Sequence, residues 1–121
     1  MLLPSLKYEY NNARIVGLTI GPRREILLEL CLLSWADTAG RCDTKVHVRF
    51  GGIKNFEEVK AFLKVGHHET SELAYLRYST NQPSKPGQLS IDISFERVDA
   101  VICIECADVR VEDAAQNTDM S

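Results

Sequence analysis

Hydrophobic and polar residues alternate most clearly between Gln88 and Val111. Leu89, Ile91, Ile93 and Phe95 alternate with Ser90, Asp92, Ser94 and Glu96. A period of two sets apolar side chains on one face of an extended strand and polar ones in water. After Glu96-Arg97-Val98-Asp99 the run from Ala100 to Cys106 is almost wholly apolar, which predicts a second strand buried on most of both faces. A tight return between the two makes an antiparallel hairpin.

Upstream, Leu6, Tyr8 and Tyr10 alternate with Lys7 and Glu9 ahead of Asn11-Asn12. Because Asn tolerates positive φ, this predicts a first strand and a tight turn. A second strand, Arg14 to Ile20, ends at Gly21-Pro22. From Glu25 to Trp35, Ile26, Leu28, Leu30 and Leu32 fill one face. Leu27, Cys31, Leu33 and Trp35 fill the other, interrupted by Glu29. A strand apolar on both sides belongs in the middle of a sheet. Lys45 to Phe50 returns to alternation, with Val46, Val48 and Phe50 inward and Lys45, His47 and Arg49 outward. A weaker strand is expected over 71–79, around Leu73, Tyr75, Leu76 and Tyr78.

One stretch departs from the period of two. Gly51-Gly52 breaks a strand, Asn55 stands as an N-cap with Glu58 three residues later, and Phe56, Val59, Phe62 and Leu63 share one side at helical spacing. With Gly66 as the stop signal, a helix over about 56–65 is expected, roughly 15 Å long. It is too short to persist alone and must lie on the sheet. The fold expected is α+β: one mostly antiparallel, strongly curled sheet, half-barrel or sandwich-like, of six or seven strands with one helix. Residues 1–113 form a single domain, and the polar tail 114–121, with nothing to bury, is expected to be disordered.

Charge narrows the function. The formal net charge is −3 and the basic residues are scattered, apart from Arg23-Arg24, so no stripe matches a phosphate backbone and nucleic acid is not an expected partner. No run is apolar for the roughly 18 residues that a spanning helix needs, so no membrane partner is expected. The opening MLLPSLKYEY has no secretory pattern, and cytoplasmic residence follows as the expectation. The sign of charge drifts from basic before Arg24 to acidic after Asp99. The ends would attract if they were neighbours; a solvated acidic edge is the simpler expectation.

Candidate chemistry is sparse. Cys103 and Cys106 spell C-x-x-C, but in a strand these residues point to opposite faces with Cα atoms roughly 10 Å apart, beyond disulfide reach. They read as small hydrophobic fillers. Cys42, between Arg41 and Asp43 in a loop expected over 34–44, is a candidate nucleophile, with His67 or His68 as its base if the fold brings them together. Trp35, Asp37, Arg41 and Asp43 in that loop are candidate binding residues, and a polar, two-proline loop over 79–88 is expected to be exposed. His67-His68-Glu69, even with Cys42 and Asp43, does not make a tetrahedral donor set, so no metal and no cofactor are expected. His47 reads as solvated or paired across the strand.

Val46-x-Val48-x-Phe50-x-x-Ile53 and Ile91-x-Ile93-x-Phe95-x-x-Val98 share one apolar spacing, that of a strand closed by an aromatic with re-entry three residues later. This spacing resembles that of small bacterial β-rich proteins of unknown or toxin-immunity type. The resemblance holds no polar signature and assigns no residue a role. The expected function is a non-catalytic domain that binds a protein partner or a second copy of itself. The alternative is a small enzyme or ligand-binding protein built on Cys42 with His67 or His68.

Overall fold

The computed structural model describes residues 3–33 and 42–113. Seven strands and one helix follow in the order β1 (Arg14–Gly21), β2 (Glu25–Leu33), β3 (Cys42–Gly51), α1 (Phe56–Glu69), β4 (Leu73–Tyr78), β5 (Leu89–Phe95), β6 (Val101–Cys106) and β7 (Asp108–Asp113). The α+β class, the antiparallel pairing and the single helix are as the pattern predicts. The sheet is not one curled surface. It is two open sheets, ordered β1-β2-β3-β7 and β4-β5-β6, neither closed nor strongly curled. The division falls at Ala107. Before it, the chain pairs with β5, Ile104 opposite Ile91; after it, with β3, Val111 opposite Val48. The Ala107 N–H donates to the Gly51 carbonyl at 2.9 Å, holding the bend against the end of β3. Gly52, at φ 61°, turns the chain there where a side chain would meet Ala107.

One core joins the two sheets and the helix. Ile26, Leu28 and Leu30 of β2, Val46, Val48 and Phe50 of β3, Ile91 and Ile93 of β5, and Val59 and Leu63 of α1 all belong to it. The α1 residues that reach it recur at helical spacing. Packing against this core lets fourteen residues hold a helix that would be marginal in water.

Helix α1 runs past its expected end. Gly66 is a buried residue inside it, because a Cβ there would lie 2.1 Å from the Phe95 ring. The glycine serves close approach, not termination, and His67-His68-Glu69 therefore form the last turn of a helix instead of a connector. Asn55 is the N-cap by position but makes no side-chain cap bond. Its amide turns to β6 instead, donating to the Cys103 carbonyl at 2.8 Å and accepting from the Glu105 N–H at 3.1 Å.

Residues 6–10 do not form the expected strand. Lys7 at φ 66° and a Tyr8 N–H to Leu6 carbonyl bond of 2.7 Å curl the backbone, so Tyr10, only 1% exposed, is an anchor from irregular chain. The Asn11-Asn12 turn does form, with Asn12 at φ 67°.

Candidate functional site

A concavity that carries exposed apolar side chains lies between α1 and the start of β6. Glu58, Ala61, Phe62, Val65 and Gly66 stand three and four apart and so form one stripe of the helix. Facing them are Phe95 at the end of β5, Val98 and Ala100 in the following turn, and Val101 and Ile102 of β6. Together they line an open groove of about 500 Å³.

Packing fixes the shape of this groove. Phe62 and Phe95 pack with ring centroids 5.7 Å apart at a 44° tilt, and the bare Gly66 lets the helix settle onto Phe95, which is buried at the base. The turn from Glu96 to Ala100 closes one side, with Arg97 in the left-handed region at φ 66° and the Val98 N–H donating to the Phe95 carbonyl at 3.3 Å. Asn55 ties α1 to β6 at the far side through its two bonds. At the mouth, Val65 is 58% exposed and Val101 53% exposed. Glu58 is the sole charged residue in the lining.

The thiols behave as strand geometry requires. Cys103 pairs with Asp92 and Cys106 with Leu89, so the two point to opposite faces and both are free. Burial pushes the Cys106 thiol up to about 12, with Asp108 adding to the shift. Burial also raises the Cys103 thiol; a hydrogen bond with Ser90 opposes that shift and the Asp92 carboxylate reinforces it. Neither is a ready thiolate. Cys31 is held in a disulfide, so it is not the reduced packing residue that its place in the strand suggests.

Other residues singled out in the sequence fall as follows. Trp35, Asp37 and Arg41 lie outside the described residues, as do the side chains of Cys42 and Asp43, whose backbone already belongs to β3. The loop expected over 34–44 therefore ends earlier than predicted. His67 is half-buried at the end of α1, its Nδ1 3.1 Å from the Ser71 hydroxyl, which also donates to the His67 carbonyl at 2.5 Å. His68 is exposed. His47 pairs across the sheet with Glu29 at 3.7 Å. Among the described residues, no three His, Cys, Asp or Glu side chains converge as a metal site would need.

Loop 79–88 is tied down by Gln82. Its Nε2 donates to the Ser79 and Ser90 carbonyls at 2.8 and 2.7 Å, and its Oε1 accepts from the Ser90 N–H at 3.0 Å. Asn55 and Gln82 thus each use a side-chain amide to satisfy strand backbone, a job the sequence disguised as capping and loop polarity.

Among the groove residues, sequence reading placed Phe62 and Phe95 in the core and missed the groove itself. The helix pattern puts Val65 in solvent, but the strand expected to be buried on most of both faces hid Val101: β6 buries only its Ile102, Ile104 and Cys106 side and leaves Val101 and Glu105 exposed. Compared with protein-family models, curated proteins and solved structures, the chain matches none.

Proposed function

We propose that this chain is a non-catalytic protein-interaction domain that seats an apolar segment of a protein partner in the groove between α1 and β6. The observation that carries the reading is the pair Val65 and Val101, held in water at the mouth of a concavity lined by Ala61, Phe62, Phe95 and Ile102. Apolar side chains clustered around a concave surface mark a recognition site more often than scattered exposed ones do. Phe62 supplies a rigid aromatic wall of the kind that anchors an interface.

A photo-activated cross-linking residue placed at Val65 in the full chain, and separately at Thr19 on the outer face of β1, tests this in cells. A discrete protein adduct from position 65 and none from position 19 is expected. Equal labelling at both, or none at either, counts against the groove. The alternative built on Cys42 with His67 or His68 is a separate proposal that requires a reduced Cys42 in a chain whose Cys31 is disulfide-bonded, and Cys42→Ser with unchanged alkylation and turnover would remove it. Cytoplasmic residence is likewise proposed. The two free thiols suit a reducing compartment, whereas the Cys31 disulfide argues for an oxidising one. No described helix is long and apolar enough to cross a membrane.

A further inference from the structure

The segment from Leu3 to Ala13 runs beside β4 without joining its sheet. At the start of β4 the Asn12 N–H donates to the Leu73 carbonyl at 2.9 Å and the Leu73 N–H donates to the Ala13 carbonyl at 2.8 Å. At its end the Tyr78 hydroxyl donates to the Pro4 carbonyl at 2.7 Å. Between these points β4 pairs with β5 alone. A third tie leaves β4 altogether: the Tyr8 hydroxyl donates to Asp113 Oδ1 at 2.6 Å, across to the end of β7. The segment around Tyr8 and the end of β7 are thus neighbours, joined by a neutral hydroxyl on a carboxylate.

Two of these ties, those from Tyr8 and Tyr78, are side-chain bonds at exposed positions, and such bonds open more readily than a buried ladder. The one deep anchor, Tyr10, donates its hydroxyl to the Leu6 carbonyl at 2.6 Å, within the same segment. Its polar atom therefore keeps its partner if the segment lifts away. Lys7 adds a left-handed residue without a glycine's freedom, which favours release.

We propose that residues 3–10 are a detachable strap, hinged at the Asn11-Asn12 turn, that opens as a unit while both sheets and α1 stay folded. Opening uncovers the outer edge of β4 beyond Leu73 and empties the Tyr10 site. The strap gates a strand edge that a folded protein ordinarily keeps covered.

Amide hydrogen exchange on the full chain tests it. The amides of residues 5–10 should exchange at least about 100-fold faster than the ladder amides of β5. Tyr8→Phe should speed the strap amides by about five- to tenfold and leave β5 unchanged. Tyr78→Phe, at the other end, should act in the same way. Strap and β5 amides exchanging at one common rate would overturn the proposal. So would either variant changing both sets by the same factor, or changing neither.

Discussion

Strands β2 and β5 make an instructive pair, because each is buried differently from what its composition suggests. β2 is apolar at every position from Ile26 to Leu33 except Glu29, yet of the side chains described from Ile26 to Leu32, Ile26, Leu28, Leu30 and Cys31 are buried while Leu27, Glu29 and Leu32 are half-exposed. β5 alternates apolar with polar as an amphipathic strand should, yet every residue except Asp92 is buried. Both are interior strands of their sheets. What separates them is what stands beside and above the outer face. On β2 the outer residues Leu27 and Glu29 meet Thr19, Arg49 and His47 of the neighbouring strands, residues that reach water. On β5, Gln82 folds loop 79–88 onto Ser90, and Ser94 sits between Tyr75 and Val101. Small polar residues are enclosed by larger neighbours, and large apolar ones stay half-open when nothing covers them.

The comparison can be broken most severely at Ile93. Ile93→Asp places an unpaired charge in the shared core and should cost about 4 kcal/mol or more, abolishing the cooperative transition in a urea melt. Gly66→Ala follows. Its Cβ cannot coexist with the Phe95 ring, and the helix must shift, at about 1–3 kcal/mol in the same melt. The two faces of β2 should then separate. Leu28→Ala, in the core, is expected to lose about 3 kcal/mol, and Leu27→Ala, on the outer face, well under half as much. Equal losses would mean that the outer face is covered after all.

The smallest effect is a pH dependence in the strap. Burial, first of all, raises the Tyr10 hydroxyl well above its ordinary value near 10. A hydrogen bond to Asp113, first of all, raises that of Tyr8. The fold favours the protonated form of each, so the stabilisation is whole below pH 10 and fades as pH climbs through the folded values. Ultraviolet titration of tyrosinate should show these groups ionising late, and in step with base-induced unfolding.

Much of the fold was legible because its signals were local. The alternation in Lys45–Phe50 and Leu89–Phe95, the turns at Asn11-Asn12 and Gly21-Pro22, and the helical spacing from Phe56 to Leu63 each need only neighbours in sequence. The errors arose where a residue's reason lay far away. Gly66 resembles a stop until Phe95, distant in the chain, is seen against it. Asn55 resembles a cap until β6 supplies better partners. Tyr8 and Tyr10 alternate like a strand, although what orders them is contact with Asp113 and the core. The single curled sheet became two because the bend at Ala107 follows from the Gly51 carbonyl, which no local pattern reveals. The groove was hidden for the same reason: its two walls come from α1 and β6, and only the exposure of Val65 and Val101 betrays it.

The most direct test of the account combines Val65→Asp with Val101→Asp in the chain carrying the cross-linking residue at Ala61. Since both valines stand in water, the doubly altered chain should melt within about 2–4 °C of the unaltered one, a change of under about 1 kcal/mol, and should lose the protein adduct. A chain that melts normally and still forms the same adduct would contradict the claim that this groove is where a partner is held.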